Sequence, residues 1–199
     1  MLRRLVGPVV ASVLLGAGVP GARAGDAGTP GPAKAAATEE GFKSLVAALS
    51  GSWTLAIRYQ PKQEGAAATQ STGTARWYTS VGGQLLLEDE HLPVDKFDGK
   101  LLGLIWWDSK AQGLRGLLCS NRSPRMCDPK ASLDDIRLSW DGSQLLIEEI
   151  EHQSDGSILL FRESYAEITS RSYLQIGEIG PPEGPFRRIF TVHGTRSKN

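Results

Sequence analysis

The acidic residues that could work as an acid and base pair lie in two short runs, residues 88–90 (EDE) and 148–151 (EEIE). Two neighbouring carboxyl groups can act in this way when burial raises the pKa of one of them. Alternate residues of a strand face the same side, so only Glu88 with Glu90, or Glu149 with Glu151, could share a face. The sequence favours a solvated outer face for both runs, with arginines on neighbouring strands as partners.

Other chemistry-bearing patterns are weak. The three histidines, His91, His152 and His193, fall on three separate predicted strands, which does not indicate a zinc site. No G-x-S-x-G elbow, P-loop or dinucleotide glycine fingerprint occurs. We therefore predict no catalytic residues and no resident metal, and an enzyme acting through buried carboxylates stays an alternative hypothesis.

The N-terminus is typical of an exported protein. Residues 1–24 combine two early arginines, an apolar run and an A-R-A site, which predicts a secretory signal peptide and a periplasmic or extracellular location. Residues 25–38 are rich in Gly, Ala and Pro and are expected to form a flexible leader. The remaining domain, 39–199, is large enough for one hydrophobic core. Charges are interspersed along it, so neither a nucleic acid nor stable membrane insertion is expected.

Cys119 and Cys127 are the only cysteines of the chain. In an oxidising compartment a short loop of this kind is expected to close with a disulfide. By the chain-entropy estimate, a disulfide that closes such a loop stabilises the fold by roughly 2 to 3 kcal/mol.

The spacing of apolar residues predicts one short amphipathic helix over 39–49 and then strands. Asp-Gly pairs at 98–99, 141–142 and 155–156 are hairpin signals. The predicted fold is all-β, an antiparallel up-and-down meander barrel of about eight to ten strands with a short N-terminal helix. The ten candidate strands are 52–60, 70–80, 83–91, 100–107, 113–119, 134–140, 144–153, 157–168, 172–179 and 186–196.

Four short motifs resemble those of a bacterial family, the domain-of-unknown-function family 1579, which has a lipocalin-like, calycin-type barrel. They are LSGSW at 49–53, VGGQL at 81–85, GLIWWD at 103–108 and TR at 195–196. The resemblance implies a fold rather than a function. The G-x-W opening also resembles true lipocalins, in which an arginine of the last strand packs over the indole. It implies that Arg196 covers Trp53 as a structural pair.

Haem-binding barrels of the nitrobindin type place a proximal histidine late in the chain, and His193 is the matching candidate. A three-residue offset puts His193 and Arg196 on opposite faces of a regular strand, so His193 is expected to point outward if Arg196 points inward. We expect no cofactor, and haem bound through His193 is the alternative.

The leading functional hypothesis is a non-enzymatic carrier or sensor for a small apolar or amphipathic molecule, based on the aromatic content of a closing meander. The expected cavity residues are Trp77, Leu87, Leu104 and Trp106. A structural or partner-binding envelope protein with a filled core is a further alternative.

Overall fold

The computed structural model describes residues 38–61, 66–94, 97–121 and 127–198. The predicted signal peptide, 1–24, and all of the predicted leader except Thr38 lie outside these residues. The helices and strands, in chain order, are α1 (Glu39–Leu49), β1 (Gly51–Tyr59), β2 (Thr69–Ser80), β3 (Leu85–Val94), β4 (Phe97–Asp108), β5 (Gly113–Ser120), α2 (Pro129–Asp135), β6 (Ile136–Trp140), β7 (Leu145–His152), β8 (Ile158–Ala166), β9 (Ser172–Gly180) and β10 (Arg187–Arg196).

All ten strands belong to one antiparallel sheet, in the order β5-β4-β3-β2-β1-β10-β9-β8-β7-β6. The first and last strands pair at its centre, and β5 and β6 form its two ends. These ends meet, because a Cβ added to Gly116 of β5 would lie 2.8 Å from a methyl carbon of Leu138 on β6. The sheet is therefore rolled into a nearly closed barrel, which confirms the predicted all-β meander with a short N-terminal helix.

The structure adds a helix that the sequence analysis did not predict. α2 begins after Asp128, whose side chain accepts hydrogen bonds from the backbone N–H groups of Lys130 and Ala131 at 2.9 and 3.3 Å. Pro129 fits the first turn, where no N–H partner is needed. None of the helices in the described ranges is long and apolar enough to cross a membrane.

The Asp-Gly signals have two different outcomes. Asp141 and Asp155 lie in turns, followed by Gly142 and Gly156 with φ of 96° and 84°. The pair at 98–99 instead lies inside β4, where it is opposite residues 92–93 of β3. The hairpin predicted at 98–99 is therefore displaced toward the N-terminus.

α1 closes one end of the barrel, the floor. The Thr38 hydroxyl accepts a hydrogen bond from the Gly41 N–H at 3.0 Å and caps the helix, as its residue type favours. The apolar face of α1 is buried. Trp140 of β6 donates its indole N–H to the Ser44 hydroxyl at 2.8 Å, which attaches the helix to the barrel.

Arg196 and Trp53 complete the floor. The guanidinium carbon lies 4.2 Å from the centroid of the Trp53 ring, and the same side chain donates hydrogen bonds to the carbonyls of Ser50, Ala48 and Ser170. A Cβ at Gly51 would lie 2.1 Å from the Arg196 Nη1, and Gly51 has φ of 138°, so glycine is required there on both counts. The G-x-W motif thus makes room for the arginine.

Candidate ligand cavity and buried carboxyl cluster

Strand alternation sends the first acidic run to both sides of the sheet. Glu88 and Glu90 face the interior and are 2% and 1% exposed. Asp89, between them, is exposed and lies opposite Arg76 of β2. The expectation of a solvated outer face is therefore wrong for Glu88 and Glu90, because Trp77 and Ala75, their neighbours on β2, belong to the buried core.

The second run is divided in the same way. Glu148 lies on the outer face and accepts a hydrogen bond from the Arg162 Nε at 2.8 Å, which is the cross-strand arginine pairing that the sequence favours. Glu149 and Glu151 belong to the inward-facing set of β7, and both line a cavity. The expectation of a solvated outer face is therefore wrong for Glu149, whereas Glu151 lines the cavity but is exposed to solvent.

We call the hydrogen-bonded group of Glu88, Glu163, Tyr165 and Gln175 the carboxyl cluster; all four side chains are buried. The Tyr165 hydroxyl lies 3.0 Å from the Glu88 Oε1 and 3.2 Å from the Glu163 Oε1. Gln175 donates from Nε2 to the Tyr165 oxygen at 3.0 Å and to the Glu163 Oε1. Gly103 leaves room for Glu88, since an added Cβ there would lie 3.2 Å from its Oε2.

The electrostatics of the cluster favour a proton on Glu88. Burial raises the pKa of Glu88 well above its usual value, and the nearby carboxyl groups of Glu90 and Glu163 raise it further. Burial also raises the pKa of Glu163 and that of Tyr165. No lysine or arginine is buried in the part of the chain that the structure describes. Glu88 is therefore expected to be protonated at neutral pH.

Aromatic side chains fill the interior between the floor and the cluster. The Tyr173 ring lies 4.8 Å from Trp53 on one side and 5.6 Å from Tyr165 on the other, measured between centroids. Trp77 makes an edge contact with Tyr165 at 5.6 Å. These rings form the core of this half of the barrel.

The other end holds a cavity of about 260 Å³, which we call the mouth cavity. β1 runs from the floor at Gly51 to Tyr59, and Tyr59 lines this cavity. Its walls are mostly apolar, with carboxylates placed among them. They are formed by Tyr59, Glu90, Leu92, Gly99, Lys100, Leu101, Ser120, Glu149, Glu151, Phe161, Glu163, Ile179, Ile189 and Phe190.

Glu149 lies where the mouth cavity meets a second one of about 410 Å³ beside α2. Burial raises the pKa of Glu149 to about 7, and the charges of Glu151, Glu163 and Asp135 contribute. Its charge therefore changes within the physiological range of pH.

Of the four predicted cavity residues, Trp77 alone faces the interior, where it is 1% exposed and below the mouth cavity. Leu87, Leu104 and Trp106 lie on the outer face. Their chain neighbours Leu86 on β3 and Ile105 on β4 face the interior and are buried. Leu104 and Trp106 line a separate outer cavity of about 330 Å³, together with Leu133 of α2. The predicted face is wrong for these three residues, and contact of Trp77 with a ligand stays a prediction.

The histidines lie away from the interior. His193 is exposed on the outer face of β10, between Ala56 and Leu174. His91 pairs with Asp98, and His152 lies 3.2 Å from Asp135. Within the described ranges no three His, Cys, Asp or Glu side chains are arranged to hold a metal ion. Haem bound through His193 stays an untested prediction. His193 does not line any of the cavities described here.

Cys119 and Cys127 are both thiols in this structure, half-buried and exposed respectively. Burial raises the pKa of Cys119 to about 11, and contact with Cys127 contributes to the shift. The two sulfurs are therefore neighbours, while residues 122–126 between them lie outside the described ranges.

Glu163 and Gln175 were not predicted as site residues from the sequence. Glu163 does have a signal in the sequence, because it alternates with Phe161 and Tyr165 and so shares the face of two aromatic residues. Gln175 alternates with Tyr173 in the same way. The contacts of Gln175 with Tyr165 and Glu163 depend on strand register, since Gln175 of β9 lies opposite Tyr165 of β8.

Comparison with known proteins adds little about function. No family model and no curated protein matches this chain. Among solved structures, a redesigned beta barrel is similar with a TM-score of 0.37 and 8% identity, covering 77% of this chain and 95% of that chain.

Proposed function

We propose that this domain binds a small amphipathic molecule in the mouth cavity and acts as a carrier or sensor. The observation that carries the proposal is the open volume of about 260 Å³ at the end of the barrel opposite α1. Ligand sites are mostly apolar concavities with a few polar groups directed into them, and this cavity has that composition. A barrel with a purely structural role would need no such space.

The test uses N-phenyl-1-naphthylamine, a neutral dye whose fluorescence rises in apolar surroundings. The wild-type domain is expected to bind one dye molecule saturably. Leu101 lines the cavity, whereas Leu102 is 39% exposed on the outer face. Leu101→Trp is therefore expected to fill the cavity and abolish binding, and Leu102→Trp is the matched control that retains it.

Two results would contradict the proposal. One is the absence of saturable binding to the wild-type domain. The other is an equal effect of Leu101→Trp and Leu102→Trp, since that would place the dye outside the barrel. Urea midpoints of both variants establish that each is folded under the conditions of the titration.

Export is part of the same proposal. It is supported by the two early arginines, the apolar run and the A-R-A site of residues 1–24. Expression in a Gram-negative host followed by N-terminal sequencing of the periplasmic product is expected to give Gly25 as the first residue. A product that stays in the cytoplasm and keeps Met1 would contradict this.

We also propose that Cys119 and Cys127 form a disulfide in an oxidising compartment. Their proximity in the structure supports this. The intact mass of protein from the periplasm is expected to be lower by two hydrogens than that of the reduced chain. Alkylation of both cysteines without prior reduction would contradict the disulfide.

A further inference from the structure

The mouth cavity has a pronounced charge imbalance. Its lining contains four carboxyl side chains and one basic side chain, Lys100. The side chains of Asp98 and Lys100 lie 3.2 Å apart, so that lysine is already paired with an outer carboxylate. The cavity thus offers an apolar space with a negative wall.

Glu163 marks the deep end of this wall. It is 5% exposed and lines the cavity, and its Oε1 accepts hydrogen bonds from Tyr165 and Gln175. The Oε1 of Gln175 is likewise buried and has no donor among the described residues. Glu163 lines the cavity and Gln175 does not, so the Glu163 carboxyl is the buried acceptor of this cluster that a ligand with N–H groups would reach.

Aromatic rings form the apolar part of the site. Phe190 lies 6.2 Å from Tyr59 and 6.3 Å from Phe161 between ring centroids. Phe190 packs directly on the backbone of Gly177, where an added Cβ would lie 2.3 Å from its ring. Aromatic walls suit both an alkyl chain and a cation, because the ring faces carry negative charge density.

We infer that the ligand of the mouth cavity is a primary alkylamine, with its ammonium group at Glu163 and its alkyl chain among Tyr59, Phe161 and Phe190. This inference rests on the proposed function and specifies its ligand class. A primary ammonium has three N–H donors and a positive charge. It would donate to the carboxyl groups that line the cavity and balance their negative charge, while an alcohol would bring one donor and a carboxylate would be repelled.

The experiment compares three probes that share one chain, namely octylamine, octan-1-ol and octanoate, by isothermal titration calorimetry at pH 8. Octylamine is expected to bind at least about tenfold tighter than octan-1-ol, since a hydrogen bond to a charged group contributes about 1.5 kcal/mol or more. Octanoate is expected to bind more weakly than either.

Glu163→Gln is expected to lower the ratio of octylamine to octan-1-ol affinity about tenfold, because an amide keeps the shape but cannot form an ion pair with the ammonium group. Glu149→Gln is expected to lower the same ratio and serves if the first variant fails to fold. Glu148→Gln removes a carboxylate from the outer face of the same strand, and its ratio is expected to match the wild type.

The outcomes separate the two claims. If none of the three probes binds, the proposed function fails together with this inference. If octan-1-ol or octanoate binds as tightly as octylamine, the amine inference fails and the amphipathic cavity stands. An equal change of the ratio in Glu148→Gln and Glu149→Gln would also overturn the inference, since long-range charge alone would then explain it.

Discussion

Tyr165 of β8 and Glu88 of β3 meet inside the barrel, with the tyrosine hydroxyl 3.0 Å from the Glu88 Oε1. These strands are not neighbours in the sheet, so the contact crosses the interior. It joins the two halves of the rolled sheet at the level where the packed core gives way to the mouth cavity.

Removing that hydroxyl is expected to destabilise the fold. Tyr165→Phe leaves Glu88 without its donor and Gln175 without one acceptor, in a site that water does not reach. The unfolding free energy should fall by roughly 1 to 3 kcal/mol, as for other buried polar groups left unpaired. Urea denaturation measures this. Tyr78→Phe, on the outer face beside Arg76, is the control and should change little.

Stability should also depend on the protonation of Glu88. Because the pKa of Glu88 in the folded state is raised above its usual 4.5, the folded chain binds the proton more tightly than the unfolded one. The resulting stabilisation is fully present below pH 4.5 and is lost as the pH rises above it.

Glu88→Gln should therefore flatten the decline of the unfolding free energy between pH 4.5 and 8, measured by urea denaturation at several pH values. Asp89→Asn, one residue away on the outer face, should keep the wild-type slope. Parallel curves for Glu88→Gln and the wild type would show that Glu88 does not titrate with folding.

Amine binding is expected to strengthen with pH around neutrality. Glu149 shares the mouth cavity with Glu90, Lys100, Glu151 and Glu163. The charges of Glu151, Glu163 and Asp135 raise its pKa. The pKa of Glu149 is about 7, so its carboxyl group gains a negative charge between pH 6 and pH 8. An alkylammonium, like lysine, keeps its charge to roughly pH 10.

The octylamine affinity measured by calorimetry should rise across this range in the wild type and rise less in Glu149→Gln. Since octan-1-ol has no charge, its affinity should stay constant. An octylamine affinity that falls from pH 6 to pH 8 would contradict this assignment.

Loss of the floor arginine should be costly. Arg196→Ala removes hydrogen bonds to three carbonyls and the contact with the Trp53 ring. We expect a loss of about 2 to 4 kcal/mol in unfolding free energy, with little recovery in Arg196→Lys, because an ammonium cannot reproduce the planar contact. Arg187→Ala, at the exposed start of β10, should have a small effect by the same measurement.

The fold could be predicted because its signals are local. Short apolar stretches, most of them alternating with polar residues, marked all ten strands, and the turns at Gly142 and Gly156 were marked by Asp-Gly pairs. The contact of Trp53 with Arg196 followed from a short motif at each end of the domain. α2 was missed because seven residues give too little periodicity, although Asp128 and Pro129 together form a helix start.

The site was harder to predict because it depends on which face of each strand is inside. In β3 and β4 both faces carry apolar residues, so the pattern did not show which face is inside. Leu87, Leu104 and Trp106 were therefore assigned to the interior. A shift of one residue reverses the face of every side chain. The buried positions of Glu88 and Glu163 also oppose the general rule that carboxylates are exposed.

The most direct test of the account is a crystal structure of the domain with octylamine. We predict an alkyl chain in the mouth cavity between Leu101 and Phe190, with the amine nitrogen within hydrogen-bonding distance of the Glu163 carboxyl group. Octylamine bound only on the outer face, for example at the outer cavity lined by Leu104 and Trp106, would contradict it.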